Sequence, residues 1–106
     1  MNKDVITMNE VTNDGKTIHL YFIKEIGHYV AYGFSAFFAS HLVELYASYS
    51  EDLQMPVESL KEKMVNELCQ NCSIIQNDYE VYYHLEINNE LGLDDYSCWV
   101  ESIKER

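Results

Sequence analysis

The sequence has few of the residues that interrupt helices and strands. It contains one proline and four glycines in 106 residues, and neither is gathered into a linker. Low-complexity tracts and internal repeats are absent as well. These absences exclude a multi-domain arrangement with a recognisable linker, and the length suits one domain that can bury a core. With 47% hydrophobic residues, the composition predicts a folded chain and excludes a disordered one.

Cysteines and long apolar runs are also scarce. The three cysteines are an odd number and follow no export signal, so a disulfide framework is excluded and reduced thiols are predicted. No run approaches the ~18 apolar residues that a membrane span requires. We therefore predict a cytoplasmic protein without membrane association.

Positive charge is the scarcest property. Seven lysines and arginines stand against 18 aspartates and glutamates, which gives a net charge of −11. Residues 1–43 hold four acids and three lysines, a net of −1, so the other −10 lies in residues 44–106. Such a field repels nucleic acid and anionic membranes and attracts basic protein surfaces. Direct nucleic-acid binding is therefore not expected.

The apolar and aromatic residues are concentrated between Thr17 and Tyr49. Residues 18–23 alternate with period two, as in a half-buried strand, and Gly27 permits a turn into a second strand at His28 to Tyr32. From Ser35, a possible N-cap, apolar residues recur three and four apart as far as Tyr49. This spacing predicts a helix that folds back onto the hairpin.

The flanking segments complete the predicted fold. Val5 to Val11 is interpreted as a strand that the turn at Asn13 to Gly15 joins to the next strand. A second helix is predicted to begin at Pro56, a strand to cover Tyr79 to Ile87, and a last helix to follow a cap at Asp94 or Asp95. The sequence thus predicts an α+β fold, a small antiparallel sheet in the order β-β-β-α-α-β-α with helices packed on one face.

The run from Thr17 to Leu42 is similar in local pattern to the start of the mismatch-repair protein family MutS. In that family a glycine is followed two residues on by phenylalanine and four residues on by glutamate, and both read mismatched DNA. Here Tyr29 and Ala31 stand at those distances from Gly27. The similarity covers about a quarter of the chain, and no family membership is inferred from it.

Few residues indicate catalysis or a cofactor. Cys69 and Cys72 have the spacing of a metal or redox pair, and His84 and Cys98 could complete a zinc site, but buried inert thiols explain the pair more simply. His41 lies among apolar residues, as a structural histidine would. Phosphate-binding, dinucleotide-binding and zinc-protease motifs are absent. We predict no enzyme activity, no cofactor and no metal.

An acidic, tyrosine-bearing surface is the predicted binding site. Glu51 and Asp52 precede the predicted second helix, and Glu58 and Glu62 are one turn apart on it. Because such a like-charge pair slightly destabilises a helix, solvation alone is not a reason for it. Among the nine tyrosines, we predict that Tyr49 and Tyr82 are exposed and able to anchor an interface. The predicted partner-binding residues are Glu51, Asp52, Glu58, Glu62, Tyr49 and Tyr82.

The leading hypothesis is a non-enzymatic protein that binds and masks a basic surface of a nucleic-acid-binding protein. Small phage and mobile-element inhibitors of host defence share its size and charge. Two alternatives stay open. One is a structural or accessory subunit that docks through an apolar or tyrosine-rich surface, and the other is a small zinc-binding domain. Whether two copies pair as a homodimer is also open.

Overall fold

The computed structural model describes residues 3–13, 17–23, 25, 27–44, 46–77, 82–87 and 95–105. Over these ranges the chain forms helices and strands that alternate in short groups. In chain order they are α1 (Lys3–Val11), β1 (Thr17–Ile23), β2 (His28–Tyr32), α2 (Gly33–Leu42), β3 (Ser48–Ser50), β4 (Met55–Leu60), α3 (Glu62–Asn71), β5 (Cys72–Asn77), β6 (Tyr82–Ile87) and α4 (Tyr96–Lys104).

The strands form one antiparallel sheet of six strands in the order β3-β4-β2-β1-β6-β5. The hairpin β1–β2 lies near the centre, and Tyr21 pairs with Val30 across it. β4 pairs with the other edge of β2, and β6 pairs with the other edge of β1. The predicted α+β class with a small antiparallel sheet is confirmed.

The core lies between the sheet and α2. Ile18 and Leu20 alternate in β1 and are fully buried, and they join Ala31 of β2 and Leu60 of β4 in one cluster. Phe38 of α2 is buried in the same cluster. α3 adds buried residues to this side of the sheet, and α4 adds Tyr96 and Trp99, which pack against it. These helices therefore cover the face of the sheet that carries Ile18 and Leu20.

α1 contacts β1 through the set of side chains that alternates with Ile18 and Leu20. The Asn9 side-chain amide donates a hydrogen bond of 3.0 Å to the hydroxyl of Tyr21, which alternates with Leu20 and is itself buried. Ile6 is also buried, whereas Val5, Met8 and Val11 are exposed. The inward side of α1 therefore carries Ile6, Asn9 and Glu10, spaced three and four apart as a helix requires.

The structure corrects the interpretation of residues 5–11. This segment is α1 and not a strand, so the predicted hairpin between it and β1 does not form. Residues 14–16, which include part of the predicted turn, lie outside the described residues. The alternating pattern was misleading because much of the inward face is polar, while several of the large apolar residues are exposed.

The interpretation of residues 43–60 is also corrected. α2 ends at Leu42 and not at Tyr49, which lies in β3. Pro56 lies in β4 and does not begin a helix. It lies outside the register that β4 shares with β2, which covers Val57 to Leu60, so its missing N–H removes no bond from that pairing.

Several elements agree with the prediction. β1, β2 and α4 lie where the sequence placed them, and Gly27 has a φ of +67° in the turn between β1 and β2. β6 covers Tyr82–Ile87 of the strand predicted over Tyr79 to Ile87, and residues 79–81 lie outside the described residues. Asp95 occupies the N-cap position of α4 but makes no side-chain capping bond, and Asp94 lies outside the described residues. Ser35 is not an N-cap, because α2 begins two residues earlier at Gly33.

Replacing Phe38 by alanine tests the core. Phe38 is 0% exposed, so the substitution should leave a cavity and lower the free energy of unfolding by about 3–5 kcal/mol. Thermal and urea denaturation measure the effect. Val11→Ala is the matched control, because Val11 is 72% exposed and its loss should change the free energy by less than about 0.5 kcal/mol. Equal melting temperatures for the two variants would contradict this core.

Candidate functional site

The predicted acidic patch does not form one surface. Glu51 and Asp52 lie in the turn between β3 and β4 and are exposed. Glu62 begins α3 after the far end of β4 and is also exposed. Since β4 has six residues, about 20 Å of strand separates the two groups. Glu58 lies between them and is 1% exposed, so it cannot contribute to a surface.

Glu58 is buried because it belongs to the inward phase of β4. Pro56, Glu58 and Leu60 alternate inward along the strand, and Glu58 is paired with Ala31 of β2, a core residue. The expectation that Glu58 stands in the first turn of a solvated helix was wrong. Tyr82, the other distant member of the predicted set, begins β6, and its side chain lies outside the described residues.

Tyr49 belongs to a surface whose other residues the sequence prediction missed. We call residues Tyr46, Ala47, Ser48 and Tyr49 the tyrosine ridge. Tyr46 is 76% exposed, and open grooves of about 610 Å³ and 490 Å³ both include it in their lining. Other residues of the larger groove are Glu51, Ile103 and Lys104, and those of the smaller one are Glu44, Val57, Ser59 and Met64.

The local sequence explains why the ridge forms. After α2, Val43 is extended, with φ −137° and ψ 153°, and both Val43 and Ala47 are buried. These apolar side chains anchor the segment, while Tyr46 between them points to solvent. β3 then pairs with β4, with Ser48 opposite Val57 and Tyr49 opposite Pro56. The ridge therefore runs into a short strand at the edge of the sheet.

The ridge is flanked by acids and by a lysine. Glu44 lines one groove and Glu51 lines the other, and both are exposed. The ammonium of Lys104 lies 5.0 Å from the centre of the Tyr49 ring, within the range of a cation–π contact. The same ammonium lies 3.8 Å from a carboxylate oxygen of Glu101. The larger groove thus combines the carboxylate of Glu51 with the aromatic face of Tyr49, which is a suitable surface for cations.

The alternative zinc site is not supported by the topology. Cys98 is exposed on α4, which packs beside β3 and β4, whereas Cys72 and His84 belong to β5 and β6. The edge strands β3 and β5 are separated by about 24 Å at the usual strand spacing. The Cys69 side chain lies outside the described residues. In the described part of the chain, no three His, Cys, Asp or Glu residues are grouped as metal ligands would be.

His41 is exposed, although its apolar surroundings in the sequence predicted a core or boundary position, and it contacts its own helix. Its Nδ1 lies 2.8 Å from the carbonyl oxygen of Phe37, one turn earlier in α2. Because a carbonyl can only accept, Nδ1 carries the proton. The His41 ring also meets the Phe37 ring edge-on at 4.6 Å between centres. His41 therefore bonds to and packs against its own helix.

The other polar cluster is buried and lies where α1, β1 and α2 meet. Glu10 is 2% exposed, and its carboxylate accepts hydrogen bonds from the backbone N–H of Ser35 at 2.9 Å and from the Ser35 hydroxyl at 2.7 Å. The Ser35 hydroxyl oxygen accepts the N–H of His19 at 2.9 Å. Asn13 donates to Glu10 at 3.4 Å and to the Thr17 carbonyl at 2.9 Å. We call Glu10, Ser35, His19 and Asn13 the Glu10 network.

Burial determines the direction in which the pKa of Glu10 is shifted. It raises the pKa of Glu10 from its usual 4.5 to about 7, although the hydrogen bonds from Ser35 and Asn13 oppose the rise. Burial also raises the pKa of Tyr96 to about 12, with smaller contributions from the charge of Glu10 and from Tyr49. The network lies in the interior, and its contacts join structural elements, so we assign it a structural role.

A pH titration of stability tests the Glu10 network. A carboxyl whose pKa is raised on folding binds more protons in the folded state, so stability should fall as the pH rises from about 4.5 to 7. The shift corresponds to a loss on the order of 3 kcal/mol. Glu10→Gln stays neutral while keeping the shape, so its unfolding free energy, measured by urea denaturation, should depend less on pH over this interval. Parallel curves for the two proteins would contradict the assignment.

Comparison with known proteins gives no relative for this chain: protein family models, curated proteins and solved structures all fail to match it. The membrane prediction has a structural counterpart, because every helix in the described ranges is too short or too polar to cross a bilayer. Any functional assignment must therefore come from the geometry and charge of the surface itself.

Proposed function

We propose that this protein is a non-enzymatic binding protein that captures a basic segment of another protein on the tyrosine ridge. In this proposal the segment belongs to a nucleic-acid-binding surface, which the protein masks. The observation that carries the proposal is the 76% exposure of Tyr46 between two open grooves, one lined by Glu44 and the other by Glu51. An exposed aromatic residue with acids on both sides offers apolar contact and charge attraction at one place.

Charge supports a basic partner in preference to an apolar one. The net charge of −11 attracts a cationic segment from a distance and increases its association rate. Glu44 and Glu51 are close enough to the ridge to interact with a bound segment, because both line its grooves. A nucleic acid would be repelled by the same field, so a protein that binds nucleic acid through basic residues is the best complement to this surface.

The shape of the surface favours an extended or flexible segment. The grooves are open and lie along a ridge that continues into the edge strand β3. Tyrosine suits such a contact because its ring is large and loses little conformational freedom when it is buried. Tyr46 and Tyr49 would therefore provide packing for the aliphatic stems of lysine and arginine, while the carboxylates pair with their charged ends.

A second candidate function is an accessory subunit that docks through an apolar face. α1 supports this alternative, because Val5, Met8 and Val11 are exposed large apolar residues along one side of the helix. These three residues are few compared with the roughly 20–30 residues per partner of a stable interface. A complex that uses α1 should also be insensitive to salt, whereas a complex on the tyrosine ridge should weaken as salt rises.

Charge reversal beside the ridge tests the proposed function. The probe is a short fluorescein-labelled peptide of alternating arginine and serine, with binding measured by fluorescence anisotropy at low and physiological ionic strength. Glu44→Lys with Glu51→Lys should weaken binding about tenfold, because each change removes an attraction and adds a repulsion. Glu25→Lys with Glu62→Lys is the matched control. It changes the net charge equally at exposed positions that line neither groove, and it should have a much smaller effect.

Competition with DNA tests the masking role. The same peptide is first bound to a fluorescent DNA duplex, and the protein is then added. The wild-type protein and the control variant should release the DNA, whereas the variant with reversed charges at Glu44 and Glu51 should not. Equal peptide affinities for the two double variants would show that only the overall charge matters. A stable ternary complex of DNA, peptide and protein would contradict masking.

A further inference from the structure

We infer that the Tyr49 ring is a binding position for a lysine or arginine side chain of the partner, and that Lys104 occupies this position in the unbound protein. The inference rests on the proposed function and specifies the ligand chemistry and the regulation of the larger groove. In this view Lys104 acts as an internal competitor. The partner must displace it before its own cation can contact the ring.

The observed contact shows that the groove can hold a cation. The Lys104 ammonium lies 5.0 Å from the centre of the Tyr49 ring, within the ~6 Å limit for a cation–π contact. Glu101 lies 3.8 Å from it, and Glu51 lines the same groove. An aromatic face with carboxylates beside it is the combination that recognises alkylammonium and guanidinium groups.

The position of Lys104 means that little free energy is needed to displace its ammonium from the Tyr49 ring. Lys104 is the last residue of α4, and its side chain is 44% exposed. Its flexible stem can turn towards solvent and still lie near the helix carboxyl end, where a cation is favoured by the helix dipole. Ile103 beside it is buried and holds the end of α4 in place. A partner cation can therefore replace the Lys104 ammonium without moving the helix.

The test compares the loss of Lys104 with the loss of another exposed lysine. Lys104→Gln and Lys63→Gln each remove one positive charge from an exposed position, so they change the overall field equally. With the arginine–serine peptide as the probe, Lys104→Gln should bind at least about threefold more tightly than Lys63→Gln, because the ring no longer has an internal ligand. Anisotropy titrations at fixed ionic strength measure this difference.

Substitutions of Tyr49 identify the ring as the source of the gain. In the Lys104→Gln background, Tyr49→Phe keeps an aromatic face and should keep the gain, whereas Tyr49→Leu should remove it. NMR provides a readout that needs no partner: the Lys104 ε-methylene protons should be shifted upfield by the ring in the wild type and return to their usual position in Tyr49→Leu.

The outcomes separate this inference from the proposed function. If the wild-type protein binds the peptide in a manner sensitive to Glu44 and Glu51, but Lys104→Gln and Lys63→Gln bind equally, the proposed function stands and the internal-competitor role is wrong. A gain that survives Tyr49→Leu would assign the effect to charge alone and would also overturn the inference. Failure of every variant to bind would overturn both proposals.

Discussion

The fold depends on the buried Glu10 network, because α1, β1 and α2 meet there and β2 continues directly into α2. β2 ends at Tyr32 and α2 begins at Gly33, the next residue. Gly33 has a φ of +54°, and an added Cβ would lie 3.3 Å from side-chain carbons of Glu10 and 3.2 Å from the sulfur of Met55. Glycine is therefore required both by the backbone conformation and by the close approach of α1.

The same network also provides hydrogen-bond partners for backbone N–H groups at the point where β2 continues directly into α2. The first N–H groups of α2 have no partner within the helix, and the Tyr32 side chain makes no capping bond. The Glu10 carboxylate, from another element, accepts the Ser35 N–H instead. The Ser35 hydroxyl accepts the N–H of His19 in β1. One carboxylate and one hydroxyl therefore join α1, β1 and α2, and the cost is a buried acid whose pKa is raised to about 7.

The sequence predicted the elements whose inward residues are apolar. β1 was found because apolar residues, including the buried Ile18 and Leu20, recur in it with period two, and the last helix was found from the spacing of Tyr96, Trp99 and Ile103. Prediction failed where a polar residue points inward. In α1 the inward Glu10 and Asn9 concealed the helical period, and in β4 the buried Glu58 concealed the alternation of Pro56 and Leu60. Their burial depends on contacts with elements distant in sequence, which a local pattern does not contain.

The same limit applies to predicting which charged residues form the candidate site. The sequence correctly located the excess of acid in residues 44–106 and directed attention to Tyr49 and Glu51, which line the larger groove. It could not tell which acids share a surface, because neighbours in sequence can lie at opposite ends of a strand. Glu51 and Glu62 are separated by about 20 Å of strand, and exposed charges beyond a Debye length of about 10 Å interact weakly at 0.1 M salt.

Glu44 and Glu51, by contrast, line the two grooves that share Tyr46, Glu44 from the segment after α2 and Glu51 from the turn after β3. A bound cation on the ridge would lie within reach of these two carboxylates and not of Glu62. The charges that would contribute to the proposed binding therefore depend on the path of residues 43–44 and 46–50, where buried Val43 and Ala47 flank the exposed Tyr46. In the proposed function, the net charge would attract a basic partner, and this short path would determine where on the protein the partner binds.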